Sequence, residues 1–432
     1  MDAKNVLMME LMNLSPLQRE IHFPSKEKPN EEIESRFFYH PRKISLTNNI
    51  ESFLTMTREG PFWVYIADQN FHLLTWTALL WKLPEIRVKE TYKDTVKISW
   101  PKNLGYHLIK EAGLYFGDIR IQYMDNVWLN IYLNLLDKRP SKREFLMKMI
   151  GNRRELNEWS DHLQESTLIV PQPWYYTESE VYAVPLFYCQ QKQVKHKYVF
   201  RNKLNEILRM KVKKDNEWKK IDPLLSYLEI TEDVISLPEM IGRYIHLTQE
   251  ELEWRNRDNL TYYVRDVIRW VDEVPKSFSD SIVVDIQVSE PCQAIFFVAE
   301  NIEKVKNRSF DRFTTSTGRN PFSHVKLIYG IHEKITERDI DIFDSLEPYY
   351  HFPCVPLKRG YNGMSFCYDL NAVDPDVGIN FKGLSAKLIL RMREENHRET
   401  FRVKVYFLVI KRIQIAFSSC IISDTIYQQD HQ

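Results

Sequence analysis

The stretch that decides the fold is FRVKVYFLV, residues 401–409, toward the carboxyl end of the sequence. Apolar residues occupy every second position from Phe401 to Val409, while Arg402, Lys404 and Tyr406 stand between them. Successive side chains of a strand point to opposite faces, so this alternation predicts a β-strand with one buried and one wet face. The strand is predicted to be long, because the same phase returns at Ile413, Ile415 and Phe417.

Similar short runs of β-branched and aromatic residues fill the rest of the chain. In the second half, strands are predicted at 264–271, 281–288, 294–299, 325–331 and 384–392. In the first half they are predicted at 43–46, 63–66, 73–81, 95–100, 114–121, 168–170, 181–188 and 243–247. Many short strands without an alternating strand–helix rhythm are typical of sandwiches or barrels.

A helical period interrupts the strands of the first half. One face of a helix is indicated by apolar residues spaced three, four, seven and eleven positions from the first, namely Met124, Val127, Trp128, Ile131 and Leu135. The sequence SKRE at 141–144 has the pattern of a capping box and predicts a second helix through Ile150. We therefore predict a helical insertion at about 122–165.

The domain boundaries follow from changes in composition. Residues 24–32, PSKEKPNEE, are charged and flanked by proline, which predicts an extended amino-terminal arm over 1–35. Residues 248–259 are polar and form the candidate boundary between two strand-rich halves. The predicted division is an arm at 1–35, a first domain at 36–252 and a second domain at 258–432.

Composition excludes several classes of protein. The 432 residues include 59 Lys+Arg and 59 Asp+Glu, a balance that argues against a protein whose main task is to neutralise phosphates. Only 12 glycines occur, which weighs against glycine-rich phosphate loops. The five cysteines are widely spaced without a CxxC pair, so free thiols in a reducing compartment are expected. With no signal-peptide pattern and no apolar run of about 18 residues, we expect a soluble protein made in the cytosol.

A search for catalytic and metal-binding motifs predicts neither a catalytic site, nor a cofactor, nor a metal site. The sequence has no GxGxxG, GxxxxGK[ST], HExxH, GxSxG or HxH motif. His351 and Cys354 are three residues apart, and the favoured interpretation is a turn with a buried thiol. The acidic cluster of Glu337, Asp339, Asp341 and Asp344 is interpreted as a solvated edge.

Two further segments have more than one interpretation. The basic segment 195–220 could bind nucleic acid, but acids are interleaved with its lysines and arginines, so a solvated or protein-facing edge is favoured. The run Trp174-Tyr175-Tyr176 could form a sugar-binding platform, although packing in the interior is favoured.

Several segments, read in order, resemble the double jelly-roll major capsid protein family of nucleocytoplasmic large DNA viruses. In the first half the similar segments are WPKNLGYHLIK (100–110), MDNVWLNI (124–131), SKREFLMKMIGN (141–152), VPQPWY (170–175), AVPL (183–186) and YIHLTQEE (244–251). In the second half they are NPF (320–322), VKLIYG (325–330), RD (338–339), EPYYH (347–351), MSF (364–366) and GINF (378–381). Their order and spacing carry the resemblance over roughly 95–415, whereas the first 90 or so residues lack the family's opening motifs.

The resemblance implies an all-β fold of two tandem antiparallel eight-stranded jelly rolls with a helical insertion in the first. It implies a non-enzymatic structural protein whose homotrimers form pseudo-hexagonal capsomers and tile the icosahedral shell of a large double-stranded DNA virus. The expected partners are the chain itself, neighbouring capsomers, minor capsid proteins and the inner viral membrane, with no specific nucleic acid and no small-molecule substrate. The expected location is the virion shell, assembled in the host cytoplasm.

Two alternatives remain open at the level of sequence. The first is a minor or scaffold capsid paralogue of the same fold, which the poor match of the first 90 residues would allow. The second, from a different class, is a double jelly-roll amide-cleaving deglycosylase. Such an enzyme would be secreted, so the absent signal peptide and the unpaired cysteines favour the capsid protein.

Overall fold

The computed structural model describes residues 49–423, with gaps at 180–181, 190–191, 231–232, 250–251, 253–259, 273–280, 331, 368–369, 371–377, 395–398 and 417–418. The predicted arm at 1–35 and the strand predicted at 43–46 lie outside the described residues. The same holds for most of the predicted boundary at 248–259.

Strands dominate both halves. The first half contains β1 (Asn49–Phe53), β2 (Thr55–Glu59), β3 (Phe62–Ile66), β4 (Leu73–Leu83), β5 (Ile86–Val88), β6 (Val96–Ser99), β7 (Ile109–Phe116), β8 (Ile119–Asp125), β9 (His162–Leu163), β10 (Ser166–Pro171), β11 (Val184–Pro185), β12 (Val194–Phe200), β13 (Arg209–Lys214), β14 (Glu217–Ile221), β15 (Leu228–Glu229) and β16 (Glu239–Ile245). The second half contains β17 (Leu260–Val271), β18 (Ser281–Asp285), β19 (Cys292–Asn301), β20 (Phe322–Tyr329), β21 (His332–Asp339), β22 (Asn362–Ser365), β23 (Ala386–Met392), β24 (Phe401–Ala416) and β25 (Ser419–Ser423).

The helices are short and lie in the connections. The α-helices are α1 (Leu104–Leu108), α2 (Asn126–Ile131), α3 (Arg143–Met149), α4 (Arg154–Asn157), α5 (Leu204–Ile207), α6 (Ile302–Lys306) and α7 (Glu347–His351). Two π-helices occupy Tyr132–Leu136 and Ile342–Leu346. Turns of 3₁₀-helix lie at Glu90–Tyr92, Pro140–Lys142, Tyr175–Thr177 and Leu225–Tyr227. Among the described helices, none is long and apolar enough to cross a membrane.

The second half is a sandwich of two antiparallel sheets. One has the order β17-β24-β19-β22, with β25 also paired to β24, and the other has the order β18-β23-β20-β21. Counted along the chain from β17 to β24, the first sheet holds the first, eighth, third and sixth strands. The second sheet holds the second, seventh, fourth and fifth, which is the strand order of a jelly roll.

The first half repeats this order. Its sheets are β1-β16-β4-β10 and β2-β3-β12-β7-β8, and β11 is also paired to β4. When β2 is treated as an extra hairpin partner of β3, the remaining eight strands again follow the order first, eighth, third, sixth and second, seventh, fourth, fifth. Smaller sheets, β14-β13-β6 and β15-β5-β9, flank this sandwich. The predicted double jelly roll is confirmed.

The predicted helical insertion occupies the connection between the fifth and sixth strands of the first half. Its helices run from Asn126 to Asn157, inside the predicted range. Met124, predicted as its first helical residue, instead belongs to strand β8. The predicted capping box is wrong, because Ser141 lies within a 3₁₀ turn and no side chain caps α3.

Two predicted strands are also corrected. The run 114–121 is divided by a hairpin turn at Gly117, whose φ of +61° is a conformation that glycine adopts without strain. Among its described residues, the run 181–188 contributes only Val184–Pro185 to the ladder with β4. Pro185 has no N–H to donate, and the chain then turns through hydrogen bonds from Leu186 to Val184 and from Cys189 to Leu186.

The chain approaches itself closely in the NLG motif at 103–105. A Cβ on Gly105 would lie 2.5 Å from Cγ2 of Val170, so a side chain at this position would clash with β10. The Gly105 N–H donates to the Ile150 carbonyl at 2.8 Å, which ties α1 to the end of α3. This packing explains why glycine stands at the third position of the motif.

Candidate functional site

The residues singled out as candidate metal ligands serve packing instead. Cys354 is buried; its N–H donates to the Leu135 carbonyl at 3.3 Å and its Sγ donates to the Asp137 carbonyl at 3.2 Å. It therefore joins the second half to the helical insertion of the first half. No group of three or more His, Cys, Asp or Glu side chains in the described ranges could hold a metal ion.

The acidic cluster is divided between the surface and the interior. Glu337, Asp339 and Asp341 are exposed, as predicted for a solvated edge. The prediction is wrong for Asp344, which is 4% exposed and accepts a hydrogen bond from Nδ2 of Asn320 at 3.2 Å. Asp344 is buried because the π-helix Ile342–Leu346 turns it toward the core.

The basic segment 195–220 is partly neutralised by its own protein. Lys195 and Lys197 both donate to Glu59, at 2.8 and 2.6 Å. These two hydrogen bonds hold the pKa of the Glu59 carboxyl below its usual value. Further along, the side chains of Arg209 and Lys211 lie over the ring of Trp159, at 4.8 and 4.7 Å from its centroid.

The Trp174-Tyr175-Tyr176 run is interior, so the packing interpretation is confirmed. All three side chains are buried. The Tyr176 hydroxyl lies 2.7 Å from Oγ1 of Thr77 and 2.8 Å from Nε2 of His196. Buried rings offer no exposed face on which a sugar could stack.

The main functional geometry lies where the two halves meet, and Asp125 is its anchor. Asp125 ends β8 and caps α2, where its carboxylate accepts the Trp128 N–H at 2.8 Å. The Tyr406 hydroxyl donates to both of its oxygens at 3.0 Å, and Arg269 donates to Oδ2 at 2.9 Å. One buried carboxylate thereby connects a strand end, a helix start and two strands of the other half.

Aromatic packing surrounds this anchor. The Trp128 ring lies 5.6 Å from that of Phe296 on β19 and 5.7 Å from that of Tyr406 on β24. The ring of Phe296 in turn lies 5.3 Å from that of Phe352. Edge-to-face and tilted rings at such distances add to the stabilisation from burial alone.

A second buried carboxylate reinforces the junction beside β8. Asp266 on β17 accepts the Tyr123 N–H at 2.8 Å and forms an ion pair with Lys411 on β24. Burial raises the pKa of Asp266, although Lys411 opposes that effect. Gln122 adds a donor to the Arg265 carbonyl at 2.6 Å. The contacts fix the orientation of the two halves because they are directional as well as buried.

The prediction that β24 has one wet face is wrong. The inward residues of the alternation are buried, as predicted, but Tyr406, Leu408 and Ile410 on the other face are buried too. The first half covers that face, through α2 and β8. No local pattern in 401–409 could indicate this cover, since it comes from a segment about 280 residues earlier.

The corresponding sheet face of the first half has a different environment. Register places Phe53, Ile241, Ala78 and Pro171 in one row across β1, β16, β4 and β10. Phe53 is 55% exposed, and Ile169, two residues before Pro171, is 42% exposed. A groove of about 950 Å³ runs over β4 and β10, and Phe145 of α3 lines its other side.

A second exposed apolar region lies in the connection between β21 and β22. Tyr349 and Tyr350 of α7 are 70% and 68% exposed, and their rings contact each other edge to face at 5.0 Å. Leu346, Val355 and Leu357 in the same connection are also exposed. Exposed apolar surface concentrated in one connection in this way typically marks a protein–protein contact.

Family models match both halves of the chain in order. Residues 47–248 match the model described as the major capsid protein N-terminus. Residues 254–406 match the model described as the large eukaryotic DNA virus major capsid protein.

Curated relatives and solved structures agree with these matches. The major capsid protein of Lymphocystis disease virus 1 is 22% identical over 335 residues, 71% of this chain and 69% of the relative. That of Simulium iridescent virus is 24% identical over 349 residues, 73% of this chain and 71% of the relative. The Faustovirus major capsid protein has a similar fold, with a TM-score of 0.69 at 9% identity, covering 96% of this chain and 98% of that one. PBCV-1 VP54 also gives 0.69, at 12% identity, covering 87% and 96%.

Proposed function

Because the chain belongs to the major capsid protein family of large eukaryotic DNA viruses, we propose that three copies assemble into a pseudo-hexagonal capsomer that tiles an icosahedral shell. The observation that carries the proposal is the repeated strand order. Each copy contributes two sandwiches of the same connectivity, so three copies supply six similar walls. The function is structural and the place of the protein is the virion capsid, as the names of its relatives indicate.

The junction supports this function by making each copy rigid. A capsomer with six similar walls needs its two sandwiches held at one angle. Asp125 and Asp266 each connect the first half to strands of the second half through buried, directional contacts. Such pre-organisation lowers the entropic cost of assembly, because fewer degrees of freedom are lost when copies associate.

The finer parts of the proposal are the domain limits and the further partners. We place the arm at 1–35, the first jelly roll at 36–252 and the second at 258–432; the family matches at 47–248 and 254–406 support a boundary between them. We further propose that assembly takes place in the host cytoplasm, and that the shell contacts minor capsid proteins and the inner viral membrane.

The test is the solution mass of the purified chain, measured by light scattering. A homotrimer predicts about three times 51.8 kDa, or roughly 155 kDa. Electron microscopy should then show particles with a hexagonal outline. A chain that remains at 51.8 kDa at all concentrations would contradict the autonomous capsomer. Mass spectrometry of purified virions, with the chain as an abundant shell component, separates a shell protein from a scaffold.

A further inference from the structure

The two halves have an equivalent sheet face but an unequal cover. The outer face of a half is defined as the outward side of the sheet that holds its first, eighth, third and sixth strands. On the second half, the outer face includes Phe296 and Tyr406, and the first half covers it with Asp125 and Trp128. The covering element is the connection that follows the fifth strand, β8.

On the first half, the outer face is open within the part of the chain that the structure describes. Phe53 and Ile169 are exposed there, and the groove over β4 and β10 has room for side chains of a partner. The groove reaches Asp137 and Lys138, next to the carbonyls that Cys354 contacts. It is therefore continuous with the junction between the halves.

The structural counterpart of the covering element is only partly buried. In the second half, the connection after the fifth strand, β21, consists of the π-helix Ile342–Leu346, α7 and the turns up to β22. In the first half, the equivalent π-helix and α2 are buried against the other half. Residues 346–357, which we call the tyrosine segment, instead expose Tyr349 and Tyr350.

We propose that the tyrosine segment of one copy packs on the outer face of the first half of the next copy, in the groove over β4 and β10. The contact between copies then repeats the contact between halves, in the same direction around the ring. It is a head-to-tail interface, which closes when the rotation between copies is one third of a turn. This inference rests on the proposed homotrimer and assigns the two surfaces that form it.

The two surfaces are tested separately. The variant Tyr349→Ser/Tyr350→Ser removes the segment's rings, and Ile169→Asp places a charge on the outer face. Because these residues are exposed, the monomer of each variant should unfold at the same thermal midpoint as the wild-type monomer. Each should raise the concentration at which half of the chain is assembled by at least about tenfold, as expected for central aromatic and aliphatic contacts. The matched control is Leu384→Ser, since Leu384 is 41% exposed but lies outside both surfaces, and it should leave assembly unchanged.

Mixing the two variants tests the direction of the contact. The tyrosine variant keeps an intact groove and the Ile169 variant keeps an intact segment, so one sound interface can form between them. Light scattering of the mixture should show a species near twice 51.8 kDa, about 104 kDa, that neither variant forms alone.

The possible outcomes separate this inference from the proposed function. If the wild type is trimeric and both variants remain fully trimeric, the docking proposal is overturned and the homotrimer stands. If the mixture forms no heterodimer, the head-to-tail pairing of these two surfaces is overturned. If Ile169→Asp lowers the thermal midpoint without changing assembly, another part of the same chain covers the groove, which also overturns the proposal. A wild type that is monomeric overturns both proposals.

Discussion

The two halves share one strand order but differ in what lies on either side of their sheets. In the second half, a cluster of apolar side chains fills the core between the sheets, and the outer face is buried by the first half. In the first half, the ring of His196 is buried between the sheets and that of His107 is buried against Phe310 of the second half, while the outer face is exposed. The comparison shows that strand order determines which sheet faces a half has. The neighbouring half determines which of those faces is buried and therefore has to be apolar.

The largest expected effect comes from breaking the junction at its anchor. Asp125→Ala removes the acceptor for Tyr406, Arg269 and the α2 N-terminus, and it leaves the partly buried Arg269 charge with only the more distant carboxylate of Glu111, at 3.6 Å. We expect a loss of about 3–5 kcal/mol in the free energy of unfolding, measured with urea. Asp118→Ala, in the hairpin turn between β7 and β8, is the control and should cost under about 0.5 kcal/mol. Equal losses at both positions would show that Asp125 does not anchor the halves.

The second prediction compares the outer faces of the two halves. Leu408→Ala removes a side chain that the first half buries, and it should cost about 2–4 kcal/mol by loss of burial and formation of a cavity. Ile169→Ala, on the equivalent face of the other half, should change the stability of the monomer by less than about 0.5 kcal/mol. Urea unfolding below the assembly concentration measures both. Similar costs would mean that the two faces have the same environment in the single chain.

The smallest effect is a pH dependence that belongs to the first half. Burial lowers the pKa of His107 and of His196 to about 3, against 6.5 in an unfolded chain. The unfolded state therefore takes up more protons between pH 6.5 and 3, and stability falls as the pH falls through that window. Each histidine should therefore lower the free energy of unfolding by about 2 kcal/mol when the pH falls from 7 to 5.

His107→Phe isolates one of these contributions. Neither ring nitrogen of His107 has a hydrogen-bond partner among the described residues, and its ring already lies 5.0 Å from that of Phe310, so phenylalanine should be accommodated. When the pH is lowered from 7 to 5, the free energy of unfolding of the variant should fall by about 2 kcal/mol less than that of the wild type.

The sequence is sufficient for features that depend on local pattern. The alternation at 401–409 predicts β24 and its inward face, and the change of period after Met124 predicts the helical insertion. The order of motifs predicts two jelly rolls. Local chemistry also explains the misjudged turns, since Gly117 and Pro185 end ladders that the surrounding β-branched residues would otherwise extend.

The junction could not be predicted, because it is made by residues far apart in the chain. The periodicity places Trp128 on an apolar helix face, but nothing in the sequence indicates that its ring meets Phe296 and Tyr406. Asp125 carries no signal beyond that of an ordinary helix cap. The burial of Leu408 and of Asp344 likewise depends on how other segments pack over them.

The bond between Asp125 and Tyr406 also has a consequence for the timing of synthesis. Its two ends are 281 residues apart in the chain. At roughly 5–20 residues per second, a ribosome needs on the order of 15–60 seconds between the two. During that interval, Trp128 and the rest of α2 lack β24, the strand that covers them. The strands β17 and β19 lack the same strand, which lies between them in the sheet. A nascent chain therefore presents an unfinished apolar surface until β24 emerges, so this delay is the period in which copies translated side by side are most exposed to premature association.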